Sequence, residues 1–224
     1  MTEPVGVAGR PTNRGDDVGA EARGLVIAML LAALAGMVDA IGYLHLGGLF
    51  ISFMSGNSTQ LAAALGQGDL AEAGIIAELI ALFVLGAAAG QVLAGLTGRR
   101  HMTWVLVVVA VFLAIAAVLA TAPEPMVLAM GVLNASMRRA GKVPVSLTFV
   151  TGMLVRFGQG LGDLLIRRSA GWNWLVQASP WVGLMAGATT GAAIYARIGG
   201  AAIWVPVILA GVFAAGSLAI PQPE

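Results

Sequence analysis

Apolar stretches of about 20 residues, separated by short polar segments, recur along the chain from Leu25 onward. Stretches of this length can cross the hydrocarbon layer of a bilayer as helices. The uninterrupted ones cover residues 25–46, 73–96, 103–120, 180–196 and 201–220. Residues 126–137 are apolar but short, whereas 49–65 and 143–166 are interrupted by polar residues and glycines. The pattern predicts an all-α polytopic membrane protein with six to eight membrane segments.

Similar motifs recur in the two halves of the chain. The matched pairs are Gly36-Met37-Val38-Asp39-Ala40 with Gly131-Val132-Leu133-Asn134-Ala135, Phe53-Met54-Ser55-Gly56-Asn57 with Phe149-Val150-Thr151-Gly152-Met153, and Gly86-x3-Gly90 with Gly187-x3-Gly191. The two prolines in residues 121–125 are typical of a turn and separate the halves. We therefore predict two pseudo-symmetric membrane repeats, residues 25–121 and 126–220. Each would hold about three full spans and one glycine-broken or re-entrant segment.

The lysines and arginines bear on topology, because they concentrate on the cytoplasmic side of a membrane. If 49–65 and 143–166 both cross, the chain has eight spans and its basic clusters fall on both sides. If neither crosses, it has six spans, and the clusters at Arg23, Arg99-Arg100, Arg138 to Lys142 and Arg167-Arg168 all face the cytoplasm. Only Arg197 disagrees with this second interpretation, which we favour, although a seven-span hybrid also satisfies most charges. Residues 1–24, rich in charge, Pro and Gly, are expected to form a disordered cytoplasmic tail.

Composition limits the classes of function. The chain is 58% hydrophobic and 10% charged, too little charge for a surface that faces water. Its net charge of +1 argues against binding nucleic acid. The chain lacks cysteine and has two distant histidines, which argues against a metal centre, and no cofactor signature is present. We expect a multi-pass membrane protein, with the lipid bilayer and a small molecule or ion as its partners.

Asp39 is the strongest candidate for chemistry. It lies within the first span with three apolar residues on each side, and an aspartate at the centre of a membrane helix costs about 2.5–3.5 kcal/mol. Such a residue faces a bundle interior, a cavity or a partner. It either handles a proton, cation or substrate, or it is a packing residue bonded to nearby Ser, Thr or backbone groups. Asn134, at the matching position, keeps an acceptor oxygen but cannot titrate; it either shares a site with Asp39 or joins helices.

Polar residues and a glycine interrupt segment 49–65 at Ser55, Gly56, Asn57, Ser58 and Thr59. Irregular backbone at membrane depth must be buried in protein or line water, and a helix end formed there offers free N–H groups to a substrate. Thr151 and Gly152 repeat this arrangement in weaker form. We interpret both as parts of a mid-membrane binding site, with small-residue helix packing as the alternative.

Arg156, Gln159 and Asp163 share one helix face by their spacing. Arg156 either clamps an anion or extends to the cytoplasmic interface. The Gly86-x3-Gly90 and Gly187-x3-Gly191 motifs permit close helix approach, which leaves internal packing and homodimerisation both open.

These motifs resemble those of the YoaK family, bacterial inner-membrane proteins with about six predicted spans. The resemblance rests on Gly36, Asp39 and Ala40, on Phe50 or Phe53 with Ser55-Gly56-Asn57, on Met130-Gly131 with Asn134-Ala135, and on Thr151-Gly152. It extends over nearly all of the chain after the tail. Ser55 replaces the usual Thr, and Met153 stands where Asn is common. The resemblance implies a fold class and a membrane location, and it implies no substrate.

Two functions remain open. The first is a small-solute transporter, proton-coupled through Asp39, that binds its substrate at residues 55–58, Asn134, Thr151, Gly152 and Arg156. The second is a non-transporting scaffold or assembly protein that packs through its glycine faces. An enzyme is not expected, because Ser55 or Ser58 near Asp39 would need a base and no histidine is suitably placed.

Overall fold

The computed structural model describes residues 14–119, 122–136, 150–166 and 178–219. Helices form nearly all of this part of the chain. They are α1 (Arg14–His45), α2 (Met54–Gln67), α3 (Leu70–Thr97), α4 (His101–Leu119), α5 (Glu124–Ser136), α6 (Val150–Leu165), α7 (Ser179–Ile198) and α8 (Trp204–Ala219). Short 3-10 turns, Gly98–Arg100 and Gly199–Ile203, join α3 to α4 and α7 to α8.

The observed helices follow the apolar stretches of the sequence closely, which confirms an all-helical membrane protein. Three described stretches are long and apolar enough to cross a bilayer: Arg23–His45, Leu70–Leu119 and Ser179–Ala219. Each of the last two contains a pair of helices and the turn between them. Helix α1 begins at Arg14, within residues 1–24 that the sequence analysis expected to form a tail.

Helices α1 and α7 pack side by side in parallel, at backbone contact distance. Ala33 and Met37 of α1 present their carbonyl groups to Gly187 and Gly191 of α7, while Gly36 faces the carbonyl of Leu184. A Cβ atom at any of these glycines would overlap a backbone carbonyl of the other helix. The glycines are therefore required for the approach, as small residues are at many membrane helix interfaces.

Helices α3 and α5 form a second parallel pair of the same kind. Gly86 and Gly90 of α3 face the carbonyl groups of Leu128 and Val132, while Gly131 of α5 faces the carbonyl of Phe83. Both glycine motifs of the sequence are thus buried within the chain. Internal packing, rather than homodimerisation, is their observed use.

Contacts at the two ends of the bundle fix the direction of each helix. At the end that we call upper, His45 Nδ1 of α1 lies 3.3 Å from Tyr195 Oη of α7, and the start of α5 is close to Gly42. At the opposite, lower end, Thr103 Oγ1 of α4 lies 2.6 Å from Ser217 Oγ of α8. Since α4 leads directly into α5, helices α1, α4 and α7 run upward, and α3, α5 and α8 run downward.

One apolar core joins the helices. Its centre lies between α1 and α5, where Leu34, Val38, Met130 and Leu133 are fully buried. Large apolar side chains also cover the outside of the bundle, including Val84, Leu96, Val118 and Ile208. Such a surface is suited to hydrocarbon rather than water.

The α1–α7 contact gives a direct test of the packing. We expect Gly187→Ala to lower the free energy of unfolding in detergent by about 1–3 kcal/mol, because the added methyl overlaps the Ala33 carbonyl. Gly216→Ala in α8 is the matched control, since a Cβ there meets nothing within 4 Å. It is expected to be neutral or to stabilise by about 0.5–1 kcal/mol through helix propensity. Equal losses in both variants would contradict the packing account.

Candidate functional site

The candidate site is the loop of residues 46–53, which joins α1 to α2 at the upper end. Gly47 and Gly48 give it a sharp turn after His45, with φ angles of 67° and 112°, values that glycine adopts without strain. The loop then runs back along the end of α1. Its backbone polar groups need partners, and three side chains supply them: Asp39, Asn57 and Gln60.

Asp39 binds the middle of this loop. Its Oδ1 accepts hydrogen bonds from the backbone N–H groups of Ile51 (2.9 Å) and Ser52 (2.6 Å). Its Oδ2 accepts from the Ser52 hydroxyl at 2.5 Å. The carboxylate lies about two turns below the end of α1, while Ile51 and Ser52 are fully buried. Hydrogen bonds to a charged acceptor contribute about 1.5–3 kcal/mol each, so Asp39 is an anchor of the loop.

Asn57 binds the adjacent residue of the loop through both ends of its amide. Its Oδ1 accepts from the Phe50 N–H at 3.1 Å, and its Nδ2 donates to the Phe50 carbonyl at 2.7 Å. The side chain is fully buried, and its amide carries both an acceptor and a donor, so it satisfies both backbone groups at once. Gln60 Nε2 completes the attachment by donating to the Gly48 carbonyl at 3.1 Å.

Aromatic rings cover the loop. Phe50 packs against Tyr43 and Phe53, with ring centroids 4.9 and 5.2 Å apart respectively. Gly56 lies under this cluster, since a Cβ atom there would meet the rings of Phe53 and Phe50. Different residues of the Ser-Gly-Asn motif contact the ring cluster and the loop. Gly56 leaves space for the aromatic rings, and Asn57 forms the hydrogen bonds to Phe50.

The break in segment 49–65 lies earlier than the sequence analysis placed it. Helix α2 begins at Met54 and runs without interruption through Ser55, Gly56 and Asn57. Ser58 and Thr59 donate to carbonyls one turn back, those of Met54 and Ser55, at 2.7 and 3.0 Å. Ser55, Ser58 and Thr59 are exposed. The local hydrogen bonds of Ser and Thr let both residues remain helical, so the irregular backbone is the preceding loop.

Asn134 is not near this loop. It lies in the lower part of α5, where its Nδ2 donates to the Met130 carbonyl at 2.9 Å. Its Oδ1 is buried and has no hydrogen-bond partner within the part of the chain that the structure describes. Among the described residues, Asn134 forms no hydrogen bond with Asp39 or with residues 46–53.

The remaining candidates lie on α6. Thr151 and Gly152 stand in its first turn, and Arg156 lies on the same exposed side as Gln159. This helix packs on α7, and in the chain it lies between the lower end of α5 and the lower end of α7. Asp39, Ser55, Gly56, Asn57 and Ser58 are thus in or beside the loop attachment, whereas Asn134, Thr151, Gly152 and Arg156 belong to other helices, α5 and α6.

Sequence reasoning missed the residues that receive these bonds. Ser52, Phe50 and Gln60 are all parts of the site, whereas the prediction from sequence placed the polar break at Ser55 to Thr59. The available signal was Gly47-Gly48, which marks a loop, together with a serine that needs a partner if that loop is buried. The aspartate one helix earlier is the natural acceptor.

With the fold and this geometry established, the class is an all-helical polytopic membrane protein. The chain belongs to the family described as protein of unknown function (DUF1275), whose model matches residues 27–216; the resemblance to the YoaK family is thereby confirmed. It is similar to a UPF0700 transmembrane protein of Rhizobium meliloti (strain 1021). The two are 40% identical over 205 residues, which cover 89% of this chain and 88% of the relative. No solved structure matches it.

The role of Asp39 as an anchor can be tested by comparing two substitutions. Asp39→Leu leaves the N–H groups of Ile51 and Ser52 without an acceptor, and each buried unsatisfied group costs about 1–3 kcal/mol. We expect a corresponding loss in the free energy of unfolding in detergent, together with faster maleimide labelling of a cysteine placed at Leu49. Asp39→Asn keeps one acceptor oxygen and should lose clearly less. If the two variants were equally stable, the anchor role would be incorrect.

Proposed function

We propose that this protein is a small-solute transporter built from two inverted halves, residues 25–121 and 126–220. Inverted repeats place equivalent helices of the two halves in opposite orientations, an arrangement common to many secondary transporters. The observation that carries the proposal is the pattern of glycine contacts between α1 and α7 and between α3 and α5, which stays the same when the halves are exchanged.

The register of the glycine contacts supports this symmetry. Gly36 of α1 faces Leu184, and its counterpart Gly131 of α5 faces Phe83; these partners lie three residues before Gly187 and Gly86 respectively. In the reverse direction, Gly187 faces Ala33 and Gly86 faces Leu128, again three residues before Gly36 and Gly131. The first helix of each half thus packs on the third helix of the other half, at equivalent positions. Two unrelated helix pairs would have no reason to share this spacing.

Helix directions support six crossings, formed by α1, α3, α4, α5, α7 and α8. Helices α1 and α3 run in opposite directions, so α2 between them does not complete a crossing. The same reasoning applies to α6, because α5 and α7 are also antiparallel. Eight crossings would make α4 and α8 parallel, contrary to the contact of Thr103 with Ser217. A seven-crossing chain would make α1 and α7 antiparallel.

Basic residues support the orientation. Arg23, Arg99 and Arg100 lie at the lower end, and the chain enters or leaves that end next to Arg138, Arg139, Lys142, Arg167 and Arg168, which lie outside the described residues. Arg197 is at the upper end. We infer that the lower end, with the N-terminal tail, faces the cytoplasm of a bacterial inner membrane.

Asp39 would couple the transporter to protons by controlling the loop. An ionised carboxylate accepts all three of its observed hydrogen bonds. Protonation removes the charge that strengthens these bonds, and the Ser52 hydroxyl would have to change from donor to acceptor. Proton uptake at Asp39 therefore weakens its hold on Ile51 and Ser52. A loop that is held in one protonation state and released in the other is an element with two arrangements, as a gate requires.

The non-transporting scaffold is the second candidate, and a specific observation favours it. Asp39 is fully bonded within the chain, and the core between α1 and α5 is apolar and closely packed. A protein that only holds partner helices would need such a closely packed bundle and no opening to water. The two functions differ in whether the interior ever opens to water.

Proton-coupled uptake provides the test of the proposed function. We would reconstitute the full chain in liposomes that contain a pH-sensitive dye and screen small solutes for proton movement. The wild type should move protons with at least one solute class, and Asp39→Asn should abolish the pH dependence, because an amide cannot exchange a proton. Gln67→Asn, at an exposed position at the end of α2, serves as the control.

Either of two results would contradict this account. Solute uptake with unchanged pH dependence in Asp39→Asn would reject the coupling role and leave the transporter. Failure of cysteines at Leu34 and Val38 to react with any water-soluble maleimide, under every solute and pH tested, would favour the scaffold.

A further inference from the structure

Helix α6 is amphipathic. Apolar side chains occupy one side of it at helical spacing, while Arg156, Gln159 and Asp163 occupy the other. The apolar side consists of Val150, Met153, Leu154, Phe157, Leu161, Leu164 and Leu165. Val155 is the one large apolar residue toward the polar side. An amphipathic helix of this kind binds along the boundary between lipid headgroups and acyl chains.

The rest of the protein covers little of this apolar side. Leu154, Leu161 and Leu164 are 45%, 43% and 50% exposed, and Leu165 is 85% exposed. Gly160 is the one residue of α6 that is fully buried among the described residues. A re-entrant segment has to be surrounded by protein or water-filled cavity, and the described part of the chain covers α6 only in part.

The basic residues in and around α6 indicate what kind of membrane surface this helix would bind. Six of the 12 lysines and arginines of the chain lie in residues 138–168, and Asp163 is the single acidic residue there. They are Arg138, Arg139, Lys142, Arg156, Arg167 and Arg168. Basic clusters next to a cytoplasmic membrane surface attract anionic lipids. The segment that contains α2, residues 46–69, has one acidic residue and no basic one, so the two segments differ in charge. Of the six basic residues, Arg156 lies within the part of the chain that the structure describes.

We propose that α6 lies along the cytoplasmic surface of the bilayer, with its apolar side among the upper acyl chains and anionic phospholipid headgroups as its partner. The inference rests on the six-crossing topology of the proposed function, which places the lower end in the cytoplasm. It assigns α6 a different environment from α2, which is bound to α3 and to the loop by buried side chains such as Asn57 and Ala64.

Fluorescent probes can measure the depth of α6 in the complete protein. The chain contains no native cysteine, so single cysteines at Leu161 and Gln159 can carry an environment-sensitive dye on opposite sides of the helix. The protein would be reconstituted in nanodiscs of phosphatidylcholine, with and without phosphatidylglycerol. Lipid nitroxides at shallow and deep acyl positions report depth, and a water-soluble quencher reports exposure.

We expect the dye at Leu161 to be quenched by the shallow nitroxide and protected from the water-soluble quencher, and the dye at Gln159 to behave in the opposite way. Phosphatidylglycerol should increase this difference, and high salt should reverse the increase because it screens the charges. Leu164→Cys, on the same apolar side, replaces Leu161→Cys if the latter does not fold.

Three results would overturn the inference. Equal quenching of both dyes by the deep nitroxide would mean that α6 enters the bilayer core. A separate measurement, labelling of a cysteine at Gln67 from outside, would show whether the six-crossing topology is correct. If the dyes at Leu161 and Gln159 differ by the same amount with and without phosphatidylglycerol, anionic phospholipid is excluded as the partner of α6. Protection of Leu161 that depends on protein concentration in detergent would identify a second copy of the chain as the partner.

Discussion

The fold depends on two places where helix backbones touch. Glycines let α1 approach α7, and α3 approach α5, so closely that a single methyl group would meet a carbonyl oxygen. In a bilayer there is no hydrophobic gain from bringing helices together, so close packing of this kind supplies much of the attraction. Each contact also joins the first helix of one half to the third helix of the other half. The two halves consequently cannot form the observed bundle separately, and the directions of the other helices follow from these two pairs.

The candidate site is stabilised by hydrogen bonds to a loop rather than by close helix contacts. Residues 46–53 must leave α1, turn and enter α2 with part of their backbone buried, and backbone groups without partners are costly there. Asp39, Asn57 and Gln60 satisfy them from the two flanking helices, and aromatic rings cover the result. The cost of an aspartate within a membrane helix is thus offset by three hydrogen bonds. This explains a carboxylate in the first half without requiring a cavity, and it leaves a titratable group in contact with the loop.

Much of the fold was predictable from the sequence, because apolar length decides where membrane helices form. The positions of α3, α4, α7 and α8 agree with the apolar runs to within about three residues. The matching glycines also indicated which segments of the two halves correspond. They did not indicate which helices would be in contact, since no pattern within one half predicts that Gly36 packs against Leu184. That pairing depends on the three-dimensional crossing of helices that are distant in sequence.

The site was less predictable for a local reason. Asp39 and the Ser-Gly-Asn motif both stood out as polar residues in apolar surroundings, and both are parts of the loop attachment. Their targets, Phe50, Ile51 and Ser52, offer mainly backbone groups, which every residue has and which no sequence pattern reveals. Asn134 and Thr151 match Asp39 and Ser55 by position in the sequence, but they lie in other helices, α5 and α6, and take no part in the loop attachment.

Topology is the most direct test, because the inverted arrangement requires that α2 does not cross the membrane. Single cysteines at Arg23 and Gln67, both exposed, can be labelled in intact cells with a maleimide that does not pass the inner membrane. The account predicts that Gln67→Cys reacts from outside and that Arg23→Cys reacts only after the membrane is permeabilised, because α1 alone crosses between them. Protection of both cysteines until the membrane is permeabilised, or labelling of both from outside, would mean that α2 crosses and would contradict the inverted halves.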